Sequence, residues 1–299
     1  MIGMGRGAGC AKSILFGEHF VVYGLPAIGV GLSKKIEVEI TKAPHTRLES
    51  SHVDANLLAG LDAIRNAMGI KDNFIIKVKS EIPVASGLGS SAAVSVAFVR
   101  ALSDEYKLDL SEDKVCAYAF EAEKVFHGNP SGMDNNLAIC GGAIIFQKKP
   151  EGVSITSLRI GKPMHLVIGV TGKKKKTTAQ LISEVKSKKE RYPELFHFIF
   201  EAEKKLIELA IKAIEQGKLE EVGELMNLNQ GFLSAMGVSS RENKDIIYAA
   251  RELGALGAKI TGAGYGGSCV ILAKSEKNAE EIAGEIRRLG YVAITSVAQ

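Results

Sequence analysis

Residues 83–93, Pro-Val-Ala-Ser-Gly-Leu-Gly-Ser-Ser-Ala-Ala (PVASGLGSSAA), decide how the rest of the chain is read. Glycines at 87 and 89 make the run too permissive for ordinary helix, and its small apolar residues are unlike a solvent loop. Three readings compete. The plainest is a tight turn between a strand and a buried helix. The second is a dinucleotide fingerprint, because Gly87-x-Gly89-x-x-Ala92 matches G-x-G-x-x-A. The third is a phosphate cradle: backbone N–H groups turn toward a ligand, the following helix points its positive amino end at it, and Ser86, Ser90 and Ser91 add hydroxyls.

The flanks remove one reading. "NFIIKVKSEI" (73–82) alternates Phe74, Ile76 and Val78 against Ile75, Lys77 and Lys79, a strand that Pro83 ends four residues before the first glycine. A dinucleotide site needs the strand to run straight into that glycine and an acidic residue to close the next strand. Here Asp104 and Glu105 fall at the end of a helix instead. A Walker loop at Gly172-Lys173 is also excluded, because no glycine stands five residues before Gly172. On this stretch alone the turn and the cradle stay evenly matched.

Outward from it the pattern is mixed. Strand is expected over 27–43, helix over 56–68 with Leu57, Leu58, Leu61 and Ile64 on one face, helix over 91–106, and a further helix from Ser111. "GGAIIFQ" (141–147) reads as a strand, and "EGVSITSLRIGKPMHLVIGVTG" (151–172) as two strands broken at Gly161 to Pro163. Residues 194–233 are mostly helical, and strand, loop, strand, helix and strand complete the chain. The fold class is α+β, in two domains, 1–160 and 161–299, with no proline- or serine-rich linker between them.

A chain of 299 residues readily buries a core at this length. A net charge of +4 is too slight for the dense basic face that nucleic acid needs, so no nucleic-acid partner is expected. Cys10, Cys116, Cys140 and Cys269 have neither zinc nor disulfide spacing and suit a reducing compartment. No signal peptide and no apolar span of membrane length is present, so the expected location is cytoplasmic, without a membrane partner.

Three side chains could act on a phosphate. On a helical wheel Glu123 lies at the edge of the apolar face formed by Val115, Ala119, Ala122 and Phe126, whereas Glu121 faces solvent. An inward carboxylate is either ion-paired or a magnesium ligand. Asp134 follows the turn-rich "HGNPSG" and is either a cap or the group that orients an attacking hydroxyl. Lys12 precedes an apolar strand and is either solvated or the partner that keeps such an aspartate ionised. His19 and His127 suit packing or substrate contact better than acid–base work. "TGAGYGG" (261–267) is a hairpin or a second wall of a phosphate site, and Lys173 to Lys176 form a solvated run that could draw in an anion.

"AKSILFGEH", "PVASGLGSSAA", "HGNPSGMD" and "KITGAGYGGS" together resemble, in order and spacing, the successive motifs of the GHMP kinases, small-molecule kinases of galactose, homoserine, mevalonate and phosphomevalonate. The G-E-H followed by G-x-P-A-I is similar to the form carried by the mevalonate-specific members. The resemblance implies an amino-terminal domain like ribosomal protein S5 domain 2, a ferredoxin-like carboxy-terminal domain, and ATP- and Mg²⁺-dependent phosphorylation of the primary hydroxyl of mevalonate on the route to isoprenoids. The alternatives are another acceptor within the family, or a binding protein of the same fold without activity. By resemblance Asp134 is the catalytic base and Lys12 its partner, and Glu123 with Ser90 or Ser91 holds the metal. Pro83, Val84, Ala85, Ser86, Gly87, Leu88, Gly89, Ser90, Ser91, Ala92 and Ala93 hold ATP. Glu18 and His19 contact mevalonate, and the expected assembly is a homodimer. One departure is visible: the family's P-G-K is Cys10-Ala11-Lys12 here, so the backbone entering Lys12 is expected to differ.

Overall fold

The computed structural model describes residues 4–49, 55–83, 86–127, 132–140, 142–172 and 175–299. Its first strand, β1 (Met4–Phe16), runs without interruption through Cys10-Ala11-Lys12. Lys12 therefore sits within a strand rather than ahead of one. Strand β2 (Ala27–Ala43) has the bounds read from the sequence. The chain separates into two units that interleave: residues 1–12, 31–84 and 88–141 form one, and residues 13–30, 85–87 and 142–299 the other. The chain passes between the units at Lys12/Ser13, within β2 at Val30/Gly31, twice inside the glycine run, at 84/85 and 87/88, and at 141/142.

In the first unit β2 pairs antiparallel with β4 (Asn73–Ser80), from Ile36 opposite Ser80 to Ala43 opposite Asn73. A short strand β3 (Arg47–Glu49) lies parallel to β4 on its other side. The alternation read in 73–82 is realised, with Phe74 and Ile76 buried and Lys77 and Lys79 exposed. Helices α1 (Ala55–Ala67), α2 (Ser90–Glu105) and α3 (Glu112–His127) pack on one another. Every residue of α2 from Ala92 to Val99 is buried, as expected of a helix that is apolar all round. A fourth helix, α4 (Met133–Cys140), carries no periodic signal, because "MDNNLAIC" is too short to show one.

The amino-terminal glycines explain how β1 meets α2. Gly5, Gly7 and Gly9 share one side of the strand, and a Cβ on each would fall 2.1–2.2 Å from the carbonyl oxygens of Ala101, Ala97 and Ala93. A period of two on the strand thus matches a period of four on the helix, and only hydrogen fits between them.

In the second unit, β5 (Ala143–Lys149) pairs with Ala27–Val30 of β2 and forms a hairpin with β6 (Gly152–Leu158). Strands β7 (Met164–Val170), β8 (Gly257–Thr261), β9 (Ser268–Ala273) and β10 (Val292–Ala298) form an antiparallel sheet in the order β10-β7-β9-β8. With helices between β7 and β8 and between β9 and β10, this is the expected ferredoxin-like β-α-β-β-α-β order. The helices are α5 (Thr178–Arg191), α6 (Pro193–Gln216), α7 (Leu219–Ala235), α8 (Arg241–Glu252) and α9 (Glu276–Arg288). Capping boxes start two of them, Thr177 with Gln180 at α5 and Ser240 with Asn243 at α8. No helix among the described residues is long and apolar enough to cross a membrane.

Candidate active site

In the first unit, the glycine run ends where α2 begins. Gly89 takes the cap position with φ 73°, and among the described residues no side chain caps the helix and no acidic residue occupies its first turn. The amides at the start of α2 are thus left to an anion, with the helix dipole favouring one. Strand β4 stops at Ser80 and α2 ends at Glu105, the two facts of context that the dinucleotide reading fails on.

Lys12 lies against this amino end. Its N–H donates to the Leu88 carbonyl at 3.0 Å, and a Cβ on Gly89 would fall 2.8 Å from Lys12 Cγ and 3.0 Å from Cε. The side chain is 9% exposed, and its Nζ stands 3.1 Å from Oδ1 of Asp134, which is 36% exposed in the first turn of α4. The lysine and aspartate chosen from the sequence are therefore an ion pair beside an uncapped helix end. Ser90 is exposed and Ser91 half-buried in the first turn of α2, while Glu123 is buried on α3. Glu121 instead faces out and pairs with Lys124 at 2.7 Å, as the helical wheel required. Pro83, Leu88, Ala92 and Ala93 also belong to this unit, Val84 and Ala85 lie outside the described residues, and nothing is described of the His127 side chain.

The second unit holds Ser86, Gly87, Glu18 and His19. Ser268 donates its hydroxyl to the Ser86 carbonyl at 2.6 Å, linking the glycine run to the end of the 261–267 loop. Glu18 and His19 are both buried. His19 adopts φ 65°, a backbone strain uncommon outside functional sites. Its Nε2 lies 2.8 Å from the Ala263 carbonyl, so Nε2 carries the proton and Nδ1 is an acceptor. Burial pulls the imidazole pKa below its ordinary value, and Nδ1 has no protein donor among the described residues. Such an acceptor suits a substrate hydroxyl.

The glycine loop 261–267 is a connection between β8 and β9, held on several sides. Thr261 Oγ1 accepts from Ile14 N–H at 3.0 Å, Tyr265 N–H donates to the Val238 carbonyl at 2.7 Å, and Asn243 holds both backbone groups of Gly266. Of the lysine run, Lys173 and Lys174 lie outside the described residues. Lys175 pairs with Glu242 at 2.5 Å, and Lys176 pairs with Glu184 at 2.7 Å while lying over the Tyr265 ring. Both are thus ion-paired, Lys175 while still largely exposed.

Sequence reasoning missed three residues around Glu18. Lys259, fully buried on β8, is ion-paired with the Glu18 carboxylate. Glu203 on α6 is fully buried and accepts from Asn229 of α7 at both oxygens, at 2.8 and 2.7 Å. Burial drives the Glu203 carboxyl up to about 7. Two of them left a signal: Lys259 interrupts the otherwise apolar "GAKIT", and Glu203 falls seven residues after buried Phe196, on the same helical face.

A fold with a phosphate-ready helix end and a lysine–aspartate pair beside it defines a class. The model for the GHMP kinases N terminal domain matches residues 56–142, and that for the GHMP kinases C terminal matches 210–292. The chain belongs to the GHMP kinase family. It is 36% identical over 315 residues to the mevalonate kinase of Pyrococcus furiosus, covering 94% of this chain and 92% of that one. To the mevalonate kinase of Methanothermobacter thermautotrophicus it is 34% identical, over 87% of each chain. The crystal structure of L. major mevalonate kinase in complex with R-mevalonate superimposes with a TM-score of 0.91 at 29% identity, over 99% of this chain and 96% of that one.

Proposed function

We propose that this chain is a mevalonate kinase, transferring the γ-phosphoryl group of ATP to the primary hydroxyl of mevalonate. The observation that carries the chemistry is the Lys12–Asp134 pair, 3.1 Å apart, at the uncapped amino end of α2. The acceptor rests on relatives of that name, similar over nearly the whole chain.

Asp134 accepts or orients the proton of the mevalonate hydroxyl, whose oxygen attacks the γ-phosphorus as the bond to the β,γ-bridging oxygen breaks and ADP leaves. Lys12, paired with the aspartate, holds its carboxylate in place and offsets charge on the moving phosphoryl group. Residues 83–93 hold the triphosphate, with the first-turn amides of α2 as donors. Glu18 and His19 contact mevalonate, the imidazole through its free acceptor Nδ1. The buried carboxylate of Glu123 and the hydroxyl of Ser90 or Ser91 are hard oxygen donors of the kind Mg²⁺ takes, and they would hold it. When bound, the ion neutralises phosphate charge. Domains 1–160 and 161–299, a homodimeric assembly and a cytoplasmic setting complete the proposal.

The test is a coupled ADP-release assay with ATP, Mg²⁺ and, in turn, mevalonate, phosphomevalonate, homoserine and galactose. Mevalonate is expected to give by far the highest kcat/KM. Preference for another acceptor would overturn the substrate assignment and leave the kinase assignment standing.

A further inference from the structure

The turn Gly17-Glu18-His19 is conformationally costly and is held at Glu18 and His19 by groups from elsewhere in the second unit. Gly17 and His19 both take positive φ, 93° and 65°. Lys259 pairs with the Glu18 carboxylate, and the Ala263 carbonyl fixes His19 Nε2. The Lys259 tether is itself fixed, because its Nζ also donates to the Ile260 carbonyl at 2.8 Å.

Stability does not explain this arrangement. Lys259 and Glu203 are fully buried and Glu18 is 2% exposed. Burying ionisable groups together gains little over apolar side chains of the same size, because desolvation offsets their attraction. What the cluster does provide is geometry. Lys259 and Ala263 belong to one strand and the loop that follows it, so that single segment fixes the Glu18 carboxylate and the His19 ring together.

We propose that Lys259 is a positioning residue for the acceptor substrate, fixing Glu18 and, through the strand and loop it shares with Ala263, His19 in register with the hydroxyl to be phosphorylated. The proposal rests on the reading that Glu18 and His19 contact mevalonate. Lys259 does not touch the substrate; it acts through the turn.

The test combines steady-state kinetics with the imidazole ¹⁵N resonances of His19, measured on Lys259→Met, Glu18→Gln and their double variant. Lys259→Met is expected to raise the KM for mevalonate by about tenfold, the effect of losing one buried charged contact. The KM for ATP should stay within about twofold, and the His19 resonances should move. The double variant should be no worse than Glu18→Gln alone, because both changes break one interaction. Multiplying effects in the double variant, or KM values for ATP and mevalonate that rise together with His19 unmoved, would overturn the proposal. If Lys259→Met does not fold, Lys259→Gln, which keeps a polar side chain without the charge, carries the same two readouts, and no change in either overturns it. An unchanged mevalonate KM in Glu18→Gln overturns the contact reading beneath the proposal, and the His19 resonances then decide the positioning alone.

Discussion

Replacing Gly89 by alanine separates the two jobs of the glycine run. The new methyl would lie 2.8 Å from Lys12 Cγ, about 0.6 Å short of ordinary contact, so the lysine must move. Its Nζ now stands 3.1 Å from Asp134, close enough that a comparable shift takes it out of hydrogen-bonding range. A charge-assisted bond contributes about 1.5–3 kcal/mol, so kcat should fall by about 10- to 100-fold. The left-handed backbone at φ 73° adds a stability cost of about 1–2 kcal/mol. Gly69→Ala is the control: Gly69 has φ 71° and nothing within 4 Å of its would-be Cβ, so it should show the stability loss with kcat within about twofold. The assay is initial-rate ADP release for both variants, with urea unfolding alongside. Equal kcat in the two variants would refute the idea that Gly89 exists to admit Lys12.

Other changes test the packing and the buried carboxyl. Gly7→Ala would place a methyl 2.1 Å from the Ala97 carbonyl and should destabilise by roughly 3 kcal/mol or prevent folding, whereas Gly231→Ala, in open space on α7, should stabilise by about 0.5–1 kcal/mol; urea midpoints report both. Glu203 rises from an ordinary 4.5 to about 7 in the folded chain, so between those values the folded state keeps a proton that the unfolded state has lost. Wild-type stability relative to Glu203→Gln should therefore decline as pH rises from 4.5 through about 7, by up to about 3 kcal/mol at about 1.4 kcal/mol per pH unit. Urea unfolding of both proteins from pH 5 to 8 measures it, and a difference independent of pH would contradict the burial argument.

How much of this was legible in the sequence depended on whether the signal was local. Strand alternation in 73–80, the bounds of β2 and the inward turn of Glu123 follow from side-chain periodicity, and the structure has all three. Lys12 and Asp134 were picked out separately, each with a bland alternative. Their meeting needed β1 to lie against α2, which depends on hydrogens at Gly5, Gly7 and Gly9 matching a helical repeat ninety residues away. Helix α4 is too short to show a period, and the clearest local marks of α5 and α8 are their capping boxes. The Glu18–Lys259 pair spans 241 residues, and no local rule reaches that far.

The central claim is that Asp134 drives phosphoryl transfer to mevalonate, and Asp134→Asn tests it most directly. The change keeps the side chain's shape and removes its charge, so the α2 amides are still free to bind phosphate. With γ-labelled ATP and Mg²⁺, the wild-type chain should place label on the primary hydroxyl of mevalonate. The variant should lose at least about a thousandfold in rate while binding ATP within about threefold of wild type, as removal of a group that acts in the transition state requires. Near-normal labelling by the variant, or no labelling of mevalonate by the wild-type chain, would contradict the account.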